Sequence, residues 1–397
     1  MSCLSFFHSS KAKKMEKLAA EVKTIAGTAD DVERRKILDS LRELQYSVES
    51  PHDTLNRTIY SNLRLAIARV AMDLKLFEAL VESAPIPLTV SQLAKQTGAS
   101  PVLLGRLLRF LAAFSMVKEV GANTFTANHI TKSMSEEGFQ AGAHHYFDNL
   151  NKAFQAAPDF LASRKYQDIT DPKDTPFQVA YKTDLTVFAW AQGNPSALSY
   201  FGKYLAYDRT GRKIWLDVYP LAQECAKQPI TEKDVLLVDV GGGIGDQVIA
   251  LKTRHPTIPG RVILQDIPET LAGAIPHDGV ELMAHDFFKP QPIKGAKYYY
   301  LRNILHDWPD AASVTILSHL TAAMSSSSIL LIDEMVLPDA GVPWQAVQLD
   351  MTMMCCLGAM ERTREQWRIL LEGCGLRILG VWTYGAVGES VVACELK

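Results

Sequence analysis

Apolar residues recur with two different periods along this chain, and the change of period divides it. Between Thr58 and Phe77 they recur every three or four positions, which is typical of an amphipathic or buried helix. From Val235 onward, short β-branched and apolar runs alternate with helix-length segments. This alternation predicts a parallel sheet with helices on both faces. The predicted fold class is α/β, with a doubly wound, Rossmann-like C-terminal domain after a mainly helical N-terminal part.

A smaller module is predicted between these regions. Ser91 is expected to cap a helix over residues 92–96, and Ser100-Pro101 to begin a strongly apolar helix from Val102 to Phe114. Residues 117–120 and 124–126, joined by a turn at 121–123, predict a β-hairpin. Two helices followed by a hairpin are typical of a winged helix.

Winged helices often bind DNA, but the apolar helix argues against that role here. It carries leucine or phenylalanine on nearly every face and only Arg106 and Arg109 for phosphate contacts. A helix that is apolar all round is buried in a core or in a subunit interface. The module is therefore predicted to mediate dimer contacts rather than to bind nucleic acid.

Net charge and cysteine content limit the possible binding partners and the cellular location. The net charge of -3 over 397 residues gives no basic field for phosphate backbones or anionic lipid. The six cysteines show no metal-ligand spacing, which indicates reduced thiols rather than disulfides or structural zinc. No apolar run approaches the length of a membrane span. We therefore expect a cytoplasmic protein without nucleic-acid or membrane partners.

The first predicted strand of the sheet ends in a ligand loop. It delivers Asp239 and the glycine-rich stretch Gly241 to Gly245 at the edge where open α/β sheets bind ligands. A dinucleotide site is the natural rival, but its fingerprint requires glycine at the first, third and sixth positions, and the sixth here is Asp246. Asp239 also suits a cationic aminoacyl ligand better than a pyrophosphate. S-adenosylmethionine (SAM) fits this preference.

Polar and aromatic side chains follow the other predicted strands. In chain order these strands end in Asp266, in His285-Asp286-Phe287-Phe288, in the stretch from Arg302 to Trp308 with His306, and in Asp333-Glu334. Asp266 lies about where a carboxylate meets ribose hydroxyls in nucleotide folds. Asp286 offers an acceptor for an adenine amino group beside the Phe287 ring. Together these side chains predict a nucleoside site with an imidazole next to it.

The chain resembles the metal-independent small-molecule O-methyltransferases of plants, fungi and bacteria that act on caffeate, flavonoids and polyketides. The resemblance covers roughly residues 55–397. It rests on three motifs, which are Asp239-Val-Gly-Gly-Gly-Ile-Gly245, Leu301-Arg-Asn-Ile-Leu-His-Asp-Trp308 and Gly358-Ala-Met-Glu-Arg-Thr363. It implies SAM as methyl donor, S-adenosylhomocysteine (SAH) as product, a winged helix used for dimerisation, and no catalytic metal.

The resemblance also implies roles for individual residues. It makes His306 the general base, with Glu334 and Glu361 flanking it, and places Trp308 against the cofactor. The other implied cofactor residues are Asp239, Gly241, Gly243, Asp266, Asp286, Phe287 and Arg302, the last standing where the family often has lysine. The chemistry agrees, because a histidine of pKa near 6.5 can take the proton of a phenol of pKa near 10 as methyl transfer proceeds.

Residues for a substrate pocket are harder to separate from core residues. The candidates are His145, Phe147, Phe188, Trp190, Met351 and Met354. Aromatic rings and flexible thioethers suit a flat substrate, but an ordinary core uses the same side chains. For His145 a surface or core role fits equally well.

The sequence predicts four segments with distinct tasks. They are a polar helical arm (1–50), a winged-helix-like dimerisation domain (51–135), a helical substrate-pocket connection (136–230) and a SAM-binding catalytic domain (231–397). The predicted activity is methyl transfer to a hydroxyl of an aromatic or polyketide-type metabolite by a homodimer. One alternative keeps the SAM site but catalyses a dehydration or pericyclic reaction, and another is a metabolite-sensing winged-helix regulator.

Overall fold

The computed structural model describes residues 10–228 and 230–397. These residues form two compact units, one ending at Arg64 and the other comprising Leu65–Lys397. Helices of the first unit are α1 (Ser10–Thr28), α2 (Asp31–Val48), α3 (Pro51–Ile59) and the beginning of α4 (Ser61–Asp73). Reciprocal capping hydrogen bonds at Asp30 and Ser50 determine where α2 and α3 begin.

Two predicted helix boundaries are wrong. The single helix expected over 58–77 is divided among α3, α4 and α5 (Leu76–Ser83). Tyr60 ends α3 with non-helical backbone angles, and Lys75 separates α4 from α5 with a left-handed φ of 52°. Helix α6 (Val90–Thr97) is capped by Thr89, not by Ser91. Thr89 Oγ1 accepts a hydrogen bond from Gln92 N at 3.2 Å, and Gln92 Oε1 accepts one from Thr89 N at 2.8 Å.

The predicted hairpin and apolar helix are confirmed. Strands β1 (Leu88–Thr89), β2 (Lys118–Gly121) and β3 (Thr124–Thr126) form an antiparallel sheet in the order β1-β3-β2. Helix α7 (Pro101–Ala113) buries one face, including Leu104 and Leu108, in the core of this module. Its opposite face is exposed to solvent in the single chain, where Val102 is 75% accessible.

The segment between β3 and the C-terminal sheet consists of short helices. They are α8 (His129–Met134), α9 (Glu137–His144), a π-helix (His145–Leu150), α10 (Asn151–Ser163), α11 (Pro176–Tyr181), α12 (Val187–Gln192), α13 (Pro195–Arg209), a 3-10 turn (Trp215–Asp217) and α14 (Leu221–Ala226). The Tyr181 hydroxyl lies 2.9 and 2.8 Å from the carbonyl oxygens of Asp148 and Asn149 in the π-helix. This contact anchors the widened turn.

A seven-stranded sheet forms the C-terminal part. Its strands are β4 (Val235–Val240), β5 (Arg261–Asp266), β6 (Val280–Ala284), β7 (Tyr298–Arg302), β8 (Ile329–Met335), β9 (Leu376–Thr383) and β10 (Glu389–Leu396). The order is β6-β5-β4-β7-β8-β10-β9, with β4 to β8 parallel and the last two strands antiparallel at one edge. The helices between them are α15 (Asp246–Arg254), α16 (Pro268–Leu271), α17 (Asp310–Thr321), α18 (Trp344–Leu357) and α19 (Arg364–Gly373).

Both faces of the central strands β4, β5, β7 and β8 are buried, which explains why these strands read as almost continuous apolar runs. Val238 and Leu301 pack on one side with residues of α17 and α19. Leu237 and Tyr300 pack on the other side with residues of α14 and α15.

The strand order determines where a ligand can bind. The chain moves outward from β4 to β6 and then returns to β7 on the other side of β4. A crevice therefore opens at the carboxyl ends of β4 and β7, the switch point at which open α/β sheets bind ligands.

In the part of the chain that the structure describes, no helix combines the length and apolarity needed to cross a bilayer.

Candidate active site

The glycine loop after β4 is shaped by close packing. Gly241 has a φ of 73°, and its N–H and that of Gly242 both donate to Gln265 O, at 2.8 and 3.0 Å. A Cβ atom at Gly242 would lie 2.5 Å from the Asp239 carboxyl carbon and 2.4 Å from a Leu264 methyl group. Only glycine lets the chain pass here, and the loop therefore remains close to the carboxylate.

Asp239 is buried with an unused acceptor. It is 1% exposed, and its Oδ2 atom has no hydrogen-bond partner among the described residues. Burial raises the pKa of Asp239 to about 7, although the charge of Arg302 opposes this effect. A carboxylate in this position is suited to receive a cationic group of a ligand.

Asp266 holds the loop from the neighbouring strand. Its Oδ2 accepts a hydrogen bond from Gly243 N and its Oδ1 one from Ile267 N, both at 2.8 Å. Farther along, Asp286 Oδ1 accepts from Phe288 N at 2.9 Å. These contacts bring the predicted carboxylates to the same edge of the sheet as the glycine loop.

Aromatic side chains form one wall of this edge. The Phe287 ring lies 3.4 Å from the position of a Cβ on Gly241, and its centroid is 6.1 Å from that of Trp308. Phe288 contacts Trp308 edge to face at 4.7 Å. The structure thus brings Phe287 and Trp308 together across the ends of β6 and β7.

A buried polar network next to this edge was only partly anticipated. Arg302 Nε lies 3.4 Å from Asp333 Oδ2, and the hydroxyls of Tyr300 and Tyr384 donate to the two Asp333 oxygens at 2.5 and 2.7 Å. Arg302 Nη1 is buried without a hydrogen-bond partner among the described residues. Sequence reasoning placed Asp333 at a strand end but assigned it no role, and it gave no signal for Tyr384, which lies 51 residues away along the chain.

His306 lies on a 3-10 turn (Leu305–Asp307) after β7, and its side chain is 12% exposed. Its Nδ1 atom is 2.7 Å from Glu361 Oε1 and 3.9 Å from Glu334 Oε2. The two glutamates therefore do different things. Glu361 contacts the ring directly, whereas Glu334 Oε1 accepts hydrogen bonds from Ile304 N and Leu305 N, each at 2.8 Å.

The charges around His306 stabilise its protonated form. Burial by itself lowers the pKa of His306, but the charges of Glu361, Asp307 and Glu334 outweigh burial and hold it well above its usual range. Burial raises the pKa of Glu334 to about 7 and that of Asp307 to about 6, against the attraction of the imidazolium. A proton taken up by this ring is therefore stabilised once it has arrived.

The same three side chains could be considered as metal ligands, because their donor atoms lie within 4.8 Å of one another. The distance of 2.7 Å between His306 and Glu361 is that of a hydrogen bond. Two donors of one tetrahedral zinc ion, each bonded at about 2.0–2.1 Å, would lie roughly 3.3 Å apart. The cluster as found is held together by hydrogen bonds.

Three of the predicted pocket residues share an apolar cluster. Phe188, Trp190 and Met354 pack against the core around Phe177, and the Trp190 ring is 5.3 Å from that of Phe177. Met351 on the same helix as Met354 is 49% exposed. These contacts fit a core and a pocket wall equally.

The other two candidates lie on the π-helix. The His145 ring is 5.0 Å from Phe201, and its Nδ1 is buried without a partner among the described residues. Burial lowers the pKa of His145 to about 4, so that the ring is neutral at physiological pH. Phe147 is half-buried. A role in substrate binding remains a prediction for all six side chains.

Comparison with known proteins decides the family. A family model described as an O-methyltransferase domain matches residues 226–377, and one described as an O-methyltransferase dimerisation domain matches residues 62–134. Demethylsterigmatocystin 6-O-methyltransferase of Aspergillus flavus is 43% identical over 383 residues, which is 96% of this chain and 98% of that protein. The chain belongs to the O-methyltransferase family.

Solved structures extend the comparison to the fold. The structure of LepI in complex with SAM has a TM-score of 0.91 and 38% identity, covering 98% of this methyltransferase and all of that chain. A structure described as a pericyclic reaction enzyme also has a TM-score of 0.91, with 37% identity, and covers 97% of this chain and all of the other. The predicted α/β methyltransferase fold with an N-terminal dimerisation domain is thus confirmed, and so is the prediction of an enzyme.

Two side chains that contact the segments of Glu361 and His306 were not predicted from the sequence. Asp350 Oδ1 accepts a hydrogen bond from Glu361 N at 2.9 Å. Arg362, which is 1% exposed, follows Glu361 and contacts the turn that carries His306. Arg362 lies inside a motif that was recognised, but only the folded chain reveals where its side chain goes.

Proposed function

We propose that this chain transfers the methyl group of SAM to a phenolic hydroxyl of an aromatic or polyketide-type metabolite, with His306 as general base. The observation that carries the proposal is the hydrogen bond of 2.7 Å between His306 Nδ1 and Glu361 at the switch point of the sheet. When Glu361 accepts the Nδ1 proton, Nε2 presents a lone pair to the substrate. The SAM-bound neighbour supports the cofactor.

The residues at the carboxyl ends of the strands fit SAM. Asp239 has an unused buried oxygen for the ammonium group, and the glycine at 242 lets the loop pass close to this carboxylate. Asp266, Asp286 and the Phe287 ring would hold the nucleoside, and Trp308 would lie against the cofactor. Bound SAM supplies a sulfonium-activated methyl group, so the protein must position an oxygen nucleophile and remove its proton.

His306 and its neighbours can remove that proton. The phenol proton moves to Nε2 of His306 as the oxygen attacks, and the imidazolium is stabilised by Glu361 and Asp307. Glu334 holds the backbone of the turn and thereby the position of the His306 ring. Each group thus has a separate task in one proton transfer.

Glutamine substitutions are expected to separate the two glutamates. E361Q removes the charge that contacts His306 Nδ1, and we expect kcat to fall roughly 10- to 100-fold. E334Q keeps an oxygen that can accept from Ile304 N and Leu305 N, and we expect a fall of about threefold or less. The measurement is kcat at saturating SAM and acceptor, and a larger loss in E334Q than in E361Q would contradict the assignment.

SAM binding is expected to weaken as the pH falls through about 7. The carboxylate form of Asp239 attracts the ammonium group, and protonation of a group whose pKa is about 7 competes with it. Calorimetry with SAH between pH 6 and 8 isolates this effect, since SAH lacks the sulfonium charge that His306 would repel. D239N should bind weakly at every pH, and an unchanged slope in D239N would rule out this carboxylate as the source.

Acceptor specificity can be tested directly. Purified protein with labelled SAM is offered a library of phenols that includes demethylsterigmatocystin, after which the relative of 43% identity is named. Transfer of label to a phenolic oxygen is the expected result. Binding of SAM without transfer to any hydroxyl would count against the proposal.

A second candidate is a dehydration or pericyclic reaction in the same pocket without methyl transfer. The observation in its favour is the pericyclic reaction enzyme of TM-score 0.91. The closely paired His306 and Glu361 favour methyl transfer instead. A His306→Ala variant that kept full turnover of the natural substrate would favour the second candidate.

We propose the division of labour along the chain with the boundaries that the sequence indicates. The predicted arm covers residues 1–50, of which 1–9 lie outside the described residues, while 51–135 mediate homodimer formation, 136–230 contribute to the substrate pocket, and 231–397 bind SAM. The dimerisation-domain match over 62–134 and the exposed Val102 on α7 support a homodimer. The unpaired thiols of Cys225, Cys355, Cys356, Cys374 and Cys394 support action in the cytoplasm.

A further inference from the structure

The three catalytic side chains come from separate segments that must be held in register. His306 lies on the turn after β7, Glu334 lies on β8, and Glu361 lies in the connection between α18 and α19. The distances between the three side chains depend on how these segments are held against one another. Arg362 is bonded to the segments that carry all three.

The side chain of Arg362 spans the His306 turn. Its Nη1 donates to Leu305 O at 2.8 Å and its Nη2 to Trp308 O at 3.0 Å, the carbonyls on either side of His306-Asp307. Further bonds run from Nε and Nη2 to Asp310 Oδ1 at 3.0 and 2.8 Å, and from Nη2 to Ser313 Oγ at 3.2 Å. The planar fork therefore holds two carbonyls that are three residues apart.

The backbone of Arg362 is tied to the strand that carries Glu334. Arg362 O accepts a hydrogen bond from Leu337 N at 3.0 Å, and Leu337 O accepts one from Arg364 N at 3.0 Å. Leu337 follows directly after the end of β8 and forms a parallel bridge with Thr363. Residue 362 thus connects the end of β8 with the His306 turn, while the adjacent Glu361 contacts the imidazole.

Glu334 completes the arrangement from the other side of the turn. It accepts the N–H groups of Ile304 and Leu305, whereas Arg362 donates to the carbonyls of Leu305 and Trp308. A carboxyl group on the amide groups and a guanidinium on the carbonyls act on one five-residue segment. The contacts of Glu334 and Arg362 therefore add to the turn's own hydrogen bonds in holding the His306 ring in place.

A contribution to folding stability does not by itself explain why an arginine is buried at position 362. Its side chain is 1% exposed, whereas its ionic partner Asp310 is 63% exposed, so the pair does not offset the full desolvation of the guanidinium. Packing against Trp367, 5.2 Å away, could be supplied by an apolar residue. What only a guanidinium supplies is several donors in a fixed plane, which lysine cannot reproduce.

We propose that Arg362 is a positioning residue that fixes the His306 imidazole against Glu361 by clamping the turn between Leu305 and Trp308. The proposal rests on the role of His306 as the base. It predicts that Arg362 contributes to kcat and to the titration of His306 and that it contributes little to the affinity for SAM.

The test compares R362K with R368K, a matched control on α19 whose arginine is about half exposed and pairs with Glu365 and Glu372. For R362K we expect kcat to fall roughly 10- to 100-fold with KM for SAM and acceptor within about threefold of the parent. R368K should match the parent in all three. R362K with kcat within about threefold of the parent overturns the proposal.

A readout that does not need turnover separates this proposal from the role of the base. In NMR of the SAH complex with labelled histidine, the titration midpoint of His306 should move down towards 6.5 in R362K, because the contact with Glu361 loosens. An unmoved midpoint overturns the clamp, whatever the activity. If H306Q keeps full turnover, the proposed function fails, and the midpoint still decides the role of Arg362.

A milder variant covers the case in which R362K does not fold. D310N removes the charge of the exposed partner and leaves Arg362 in place, and thermal unfolding and SAH binding establish that it is folded. We expect a fall in kcat of about three- to tenfold and a midpoint shift in the same direction as above. A folded D310N with unchanged kcat and midpoint overturns the proposal.

Discussion

Replacing His306 by glutamine is expected to lower kcat roughly 10²- to 10⁴-fold, the range that a positioned general base contributes. Glutamine keeps a polar side chain near Glu361 but has no group that can take a phenol proton at neutral pH. SAM affinity is expected to remain within about threefold, since Asp239 and the glycine loop are untouched. Single-turnover methyl transfer together with calorimetric binding of SAM measures both quantities.

The control for this substitution is His129→Gln. His129 is exposed at the start of α8, far along the chain from the carboxyl ends of the large sheet. It should leave kcat and SAM binding unchanged. If H306Q retained kcat within about threefold of the parent, His306 would not be the base.

The pH profile of the parent enzyme adds an independent check on His306. Only the neutral ring accepts a proton, and the surrounding carboxylates raise its pKa well above its usual range. The ratio kcat/KM should therefore rise with pH, with a midpoint above 6.5. The effect of His306 on folding stability runs the other way. Because its pKa is raised in the folded state, His306 stabilises the fold fully below about pH 6.5, and this stabilisation is lost as the pH rises through the folded-state pKa.

The second large effect is expected for Gly242→Ala, which should weaken SAM binding roughly 10- to 100-fold. The added Cβ would lie 2.5 Å from the Asp239 carboxyl carbon, and that carboxylate is fixed on the buried strand β4. Either the loop moves away from the cofactor or Asp239 turns away from the ammonium group. Calorimetric titration with SAM and SAH reports the loss for both ligands.

Gly202→Ala provides the matched comparison for Gly242. Gly202 lies within α13, has no atom within 4 Å of its added Cβ, and adopts no positive φ. SAM binding should be unchanged and the melting temperature equal or slightly higher, because alanine favours helix over glycine. A G242A protein that bound SAM as tightly as G202A would contradict the packing argument.

Local sequence patterns were sufficient for much of the fold. The alternation of apolar runs and helical segments identified the strands, because the central strands β4, β5, β7 and β8 are buried on both faces and must be almost continuously apolar. Helix boundaries were less secure. Thr89 and Ser91 are both good capping residues, and the choice between them depends on the reciprocal hydrogen bond that Thr89 forms with Gln92.

For the site, the sequence by itself determined which side chains stand at strand ends, and hence that Asp239, Asp266 and His306 meet at one edge of the sheet. It also indicated the family, through three motifs in order. It did not separate the glutamates, and it gave no role to Asp333 or Arg362. Motif spacing places residues along the chain, whereas hydrogen-bond partners depend on side-chain directions after folding.

Only the tertiary structure decided that Glu361 contacts the imidazole while Glu334 and Arg362 hold its turn. These contacts join residues separated by 29 to 57 positions, and they form only after β7, β8 and the connection before α19 have packed. A sequence records no preference for such distant partners. The sequence thus determined the chemistry available at this edge of the sheet, and packing decided which of these groups contact one another.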